Sequence, residues 1–212
     1  MIAIVDYKAG NLRSVERALN RLGFASRITN DRDGILSAER VIFPGVGAAE
    51  TAMEDLRSHG VDAVLREARD SGMPFLGICL GAQVILERSE EGDVACLGLL
   101  EGRVERFPEP LLAAENERLK VPHMGWNGLR LTRPHPVLDG IREEEEFYFV
   151  HAYYPRPASE RCVLGVTEHG IAFPSVIGER NLVATQFHPE KSGIPGLRML
   201  ENFCRWDGRH VE

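Results

Sequence analysis

Phe75-Leu76-Gly77-Ile78-Cys79-Leu80-Gly81 is an apolar run that closes in Gly-x-Cys-x-Gly and opens into a stretch with helical spacing. It reads as a buried strand turning sharply into a helix, a geometry that lifts a nucleophile onto the carboxyl edge of a sheet. The flanking glycines serve that geometry. Without Cβ atoms the helix packs close to the strand and a substrate carbonyl can approach the turn. The helix N-terminus adds a positive dipole end and free N–H groups, which favour a thiolate and offer the Leu80 amide as an oxyanion donor. A pattern this short fits a buried cysteine at a tight packing point equally well, so the rest of the chain has to decide.

Upstream, Ile2 to Val5, Ser26 to Thr29 and Arg40 to Phe43 read as strands. Leu12, Val15, Leu19 and Leu22 recur at helical spacing between the first two, and helical stretches lie between Ala48 and Ala68. After Met73 to Ile78 a helix is expected over Ala82 to Arg88. Strands alternating with helices need crossover connections, which build a doubly wound α/β fold with a mostly parallel sheet and helices on both faces. Beyond Gly92 the C-terminal half is strand-rich, with short runs at Arg103 to Phe107, Gly128 to Leu131, Glu146 to His151, Val163 to Thr167, Ile171 to Ile177 and Leu182 to Gln186. A last amphipathic helix is expected over Leu197 to Phe203, and Pro108 to Lys120 reads as a surface excursion. The 212 residues suit a single domain spanning 1–212.

Composition narrows the class. A net charge of −7, with acidic runs at Glu143 to Glu146 and around Glu90, argues against a surface built for nucleic acid. No apolar run reaches a membrane-spanning length and no secretory signal is visible, so a cytoplasmic protein is expected. Cys79, Cys96, Cys162 and Cys204 are scattered without a C-x-x-C pair, so no metal site is expected and the thiols should be reduced.

A thiolate nucleophile needs a base. Gln186-Phe187-His188-Pro189-Glu190 offers one just after a strand, with a carboxylate two residues on. In extended backbone those side chains share a side, so Glu190 can orient one ring nitrogen of His188 while the other faces the thiol. Taken alone, the segment also fits an exposed His-Pro turn with a solvated glutamate.

Together these motifs resemble the class I glutamine amidotransferases. Within them the chain resembles the glutaminase subunits of imidazole glycerol phosphate synthase over essentially its full length. Supporting stretches are Val5 to Val15, Pro44-Gly45-Val46-Gly47, Pro122-His123-Met124-Gly125-Trp126-Asn127 and Gln186 to Gly193. The resemblance implies a Cys79-His188-Glu190 triad that hydrolyses L-glutamine to glutamate and ammonia without a cofactor. It implies an oxyanion hole from Leu80 and the Gly45-Val46 peptide, and substrate contacts from Gln83, Glu101, Ala152 and Tyr153. The family usually has serine at Ala152 and glycine at Lys8. It also implies a separate (β/α)₈ cyclase subunit that takes the ammonia to make imidazole glycerol phosphate, forming a heterodimer through Met124, Trp126, Asn127 and Lys191. Acceptor binding to that cyclase is expected to complete the oxyanion hole through the Gly45-Val46 peptide. Rival readings are an amidotransferase of another pathway, a cysteine hydrolase of other γ-glutamyl bonds, and an inactive binding module.

Overall fold

The computed structural model describes residues 1–8, 10–113 and 117–209. Ala9, in one of the stretches quoted above, and residues 114–116 of the excursion lie outside the described residues. The N-terminal half alternates as its hydrophobic periods require: β1 (Ile2–Val5), α1 (Leu12–Arg21), β2 (Ser26–Thr29), α2 (Arg32–Leu36), β3 (Arg40–Gly45), α3 (Ala49–Ser58), α4 (Val61–Asp70), β4 (Phe75–Cys79) and α5 (Leu80–Val84). The chain closes with α6 (Gly193–Arg205), longer at both ends than its apolar stripe indicated.

One eight-stranded sheet organises these elements. Its order is Arg130–Leu131, Val163–His169, Ile171–Glu179, Leu182–Thr185, β4, β3, β1, β2. The last five strands of that order run parallel, and the first three are added antiparallel at one edge. Successive strand residues enter opposite cores, which is why β1, β4 and β3 beyond Arg40 are apolar. Ala3, Val5, Val41, Phe43 and Phe75 pack with Met53, Leu56 and Leu65 from α3 and α4. Ile2, Ile4, Ile42, Leu76 and Ile78 pack with Val15 and Leu19 of α1 and Leu200 and Phe203 of α6 on the other face.

The expected helix over Ala82 to Arg88 is a correction. Helix α5 ends at Val84, and Arg88–Ser89 pairs instead with the strand Gly102–Arg106. The carbonyls of Val84, Ile85 and Leu86 are taken by the amides of Leu97, Leu99 and Gly98, so no further helical turn can form. Helix α2 had no apolar periodicity to announce it; an Asp31 cap, whose carboxylate accepts from the Gly34 amide at 2.7 Å, defines its start. The excursion holds a small antiparallel pair, Leu111–Leu112 with Arg118–Leu119. Lys8 adopts φ 68°, a left-handed conformation that explains why glycine suits the position. No helix among the described residues is long and apolar enough to cross a membrane.

Candidate active site

Strand β4 delivers Cys79 to the carboxyl edge of the sheet, and α5 begins at the next residue. Cys79 has φ 54° and ψ −108°, a strained conformation for a residue with a side chain, and it is 6% exposed. The neighbouring glycines are sterically required. A Cβ on Gly81 would land on the Phe43 carbonyl oxygen, and one on Gly77 would meet Ala184 and the Gly81 carbonyl at 3.0 Å. Helix α5 therefore sits directly against β3 and β4.

The next parallel strand, Leu182–Thr185, ends beside β4 and leads into His188. His188 Nδ1 lies 2.8 Å from Glu190 Oε1, and both side chains are essentially out of solvent. Asn11 Nδ2 donates to the same carboxylate oxygen at 2.5 Å. His188 Nε2 is buried and makes no hydrogen bond among the described residues; it is the nitrogen left for the sulfur and the reacting atoms. Burial pushes the imidazole down, but the nearby Cys79 sulfur and the Glu190 carboxylate outweigh it and hold the ring up at about 9. A ring that takes up a proton readily beside the sulfur is the arrangement a thiol nucleophile requires.

Cys79 and His188 border a cavity of about 360 Å³, within the range of small-ligand sites, with Glu190 behind the ring. Val46, Leu80, Gln83, Ala152 and Tyr153 line it with Cys79 and His188. Gly45 is the register partner of Cys79 across the β3–β4 pair, so the Gly45-Val46 peptide lies beside Cys79. A larger cavity of about 990 Å³, lined by Thr132, Arg133 and Arg161 among others, contains none of the triad. Chemistry therefore selects the smaller one.

Glu101 is the expected substrate residue that the structure does not bring there. It is exposed on the Gly98 to Glu101 loop and borders a separate cavity with Arg66 and Arg69. Glu91 occupies the triad cavity instead, with Oε2 accepting from the Ala49 amide at 2.8 Å. The short strands Arg88–Ser89 and Val94–Ala95 form an antiparallel hairpin whose turn carries Glu91, and the pairing that closes this turn has no signal in the sequence spacing. Asn11 was also overlooked as a partner of Glu190, although it belongs to a stretch quoted for the resemblance. Its φ of 74°, a conformation that asparagine tolerates, is not visible from sequence.

Met124 and Trp126 project from the strand His123–Gly128 with 66% and 53% exposure. Trp126 meets the Tyr148 ring edge-on at 5.9 Å, and Lys191 Nζ stands 5.9 Å from the centre of that ring. Asn127, expected on the same face, turns its amide to His123 Nε2 and the Glu168 carbonyl. The Tyr148 carbonyl accepts from the His188 amide at 3.0 Å, so this patch is one hydrogen bond from the triad.

A glycine-flanked cysteine elbow, a carboxylate-oriented histidine and a cavity sized for one amino acid define a class: the chain belongs to the class-I glutamine amidotransferase family, whose pattern it matches over residues 3–206. Within that class its relatives are narrower. It is 46% identical over 208 residues to the imidazole glycerol phosphate synthase subunit HisH of Aromatoleum aromaticum, covering 97% of this chain and 98% of that one. It is 48% identical over 206 residues to the HisH subunit of Nitratidesulfovibrio vulgaris, covering 97% and 96%. The fold matches a crystal structure of a glutamine amidotransferase with TM-score 0.72 at 22% identity, covering 96% of this chain and all of that one. PurLQS from Thermotoga maritima matches with TM-score 0.70 at 17% identity, covering 96% and 97%.

Proposed function

We propose that this chain is the glutaminase subunit of an imidazole glycerol phosphate synthase, and that it passes ammonia to a cyclase subunit in histidine biosynthesis. Cys79 attacks the side-chain carbonyl carbon of L-glutamine, and the oxyanion is held by the Leu80 amide and the Gly45-Val46 peptide. His188, protonated on Nε2, gives that proton to the departing nitrogen, which leaves as ammonia. Water then attacks the thioester with His188 as base, releasing glutamate and the free thiol. Glu190 keeps the ring in the required tautomer throughout. The observation that carries this reading is the buried Cys79-His188-Glu190 arrangement at one sheet edge, opening on one amino-acid-sized cavity.

The α-ammonium of glutamine pairs with Glu91, the carboxylate that borders the cavity. Glu91→Gln keeps the cap on α3 through its amide oxygen and removes the charge. It is expected to raise KM for glutamine about tenfold with kcat changed less than about threefold, the loss of one charge-assisted contact. An unchanged KM places the ammonium elsewhere.

Ammonia made in this cavity has to reach an acceptor before water protonates it, and the exposed Met124, Trp126 and Lys191 patch supplies an apolar and cationic docking face for a (β/α)₈ cyclase. Co-purification with a cyclase, followed by glutamate release with and without the cyclase's nucleotide substrate, tests partner and coupling together. The expected result is a stable complex whose glutamine turnover rises when the nucleotide is bound. Equal rates rule out control of the oxyanion peptide by the acceptor site, and absence of any complex removes the cyclase as partner.

A further inference from the structure

Gln186 is completely buried between the strand Leu182–Thr185 and His188. Its amide is not free to turn. Gln83 Nε2 donates to Gln186 Oε1 at 3.0 Å while also donating to the Tyr153 carbonyl at 2.9 Å. Both protons of the Gln83 amide are thus used, and Gln186 is fixed with its oxygen toward Gln83. Its nitrogen is left facing the nucleophile: Gln186 Nε2 donates to Cys79 Sγ at 3.7 Å, a hydrogen-bond distance for sulfur.

The anchoring continues away from the triad. The Tyr153 carbonyl accepts a second bond from His151 Nδ1 at 2.7 Å, which leaves His151 Nε2 to accept from His123 Nδ1 at 3.1 Å. His123 Nε2 in turn accepts from Asn127 Nδ2 at 3.2 Å, and the other proton of that amide goes to the Glu168 carbonyl at 2.8 Å. Each N–H donates once and the Tyr153 carbonyl alone accepts twice within the series, so the direction of every bond from Asn127 to the sulfur is determined. Burial, helped by the neighbouring His169, holds His123 down at about 4. Burial likewise outweighs the bond to Tyr153 and holds His151 at about 3. Both rings are therefore neutral near neutral pH and keep these tautomers.

We propose that Gln186 is a positioning residue for the nucleophile: its amide N–H holds the Cys79 sulfur toward the cavity, and Gln83 locks that amide in the donating orientation. No bond is made or broken by Gln186. The contact strengthens as the sulfur gains negative charge, because a charged acceptor binds a donor more tightly than a neutral one. The inference deepens the glutaminase reading and rests on it only for its kinetic arm.

The test compares Gln186→Met and Gln186→Glu in the full chain. Methionine keeps the volume and removes the donor. Glutamate keeps an acceptor for Gln83 and sets an oxygen against the sulfur. Alkylation of Cys79 by iodoacetamide near neutral pH, followed by peptide mass, reads the thiol without glutamine. It is expected to slow about tenfold in Gln186→Met, and more in Gln186→Glu. With the cyclase present, kcat for glutamine is expected to fall about tenfold in Gln186→Met with KM within about twofold. Wild-type alkylation rates in a folded variant overturn the proposal, as does a rise in KM at unchanged kcat, which would make Gln186 a substrate contact. Slowed alkylation with no glutamine turnover in the wild type would uphold the positioning role and overturn the glutaminase reading alone. Should Gln186→Met not fold, Gln186→Glu decides.

Discussion

Cys79→Ala is expected to eliminate glutamine hydrolysis, a fall on the order of 10⁶ in kcat, while the complex with the cyclase goes on making product from added ammonium. The size follows from what is removed. Alanine keeps the Cβ that occupies the strained turn at φ 54°, so the backbone of the elbow changes little. Only Sγ is lost, and with it the covalent intermediate. His188 and Glu190 stay in place at 2.8 Å with no sulfur to act on, and they cannot lower the barrier to direct attack by water to a comparable degree. Glutamate release and ammonium-driven synthesis, measured on the same complex, check both halves. Residual hydrolysis within about a hundredfold of wild type would mean that a group other than Cys79 attacks. Loss of the ammonium-driven reaction would mean that the substitution damages docking rather than chemistry.

The parts of this site that were legible from residues are those where one local rule fixes the geometry. Gly77 and Gly81 imply a close strand-helix crossing, and the structure places Phe43 and Ala184 where side chains on those glycines would have to go. The apolar runs of β1, β3 and β4 imply burial on both faces, and their residues divide between two cores. His188 and Glu190 are two apart and meet directly. What was not legible depends on loops that return over long distances. Glu91 reaches the cavity because the residues after Val84 form a hairpin and not the helix their apolar spacing suggested. Glu101, which the resemblance implied as a substrate contact, borders a separate cavity with Arg66 and Arg69. The Asn11 contact to Glu190 and the series from Asn127 to Gln186 join residues from separate elements through side-chain bonds, for which sequence spacing carries no signal.

Glu190→Gln is expected to lower kcat by about 10² to 10³ and to flatten the dependence of stability on pH. In the wild type one carboxylate oxygen receives both His188 Nδ1 and Asn11 Nδ2, at 2.8 and 2.5 Å, and the other oxygen is buried with no partner among the described residues. A glutamine oxygen can serve both donors, and Asn11 selects that orientation, so the tautomer of His188 survives. That is why the loss is smaller than the roughly 10⁴ seen when a triad histidine is forced into the wrong tautomer. What disappears is the negative charge that supports the imidazolium as ammonia leaves. The same charge helps raise the folded-state affinity of His188 for its proton from 6.5 to about 9. Because that value is raised, its contribution to stability is fully present below pH 6.5 and drains away as pH climbs through 9. With glutamine at 190 the ring binds its proton less tightly, so both the contribution and its loss across that window shrink. Thermal melts of both proteins below pH 6.5 and above pH 9 read the difference directly. An equal fall in melting temperature for the two would show that Glu190 does not support the charged ring, and an unchanged kcat would remove it from the triad.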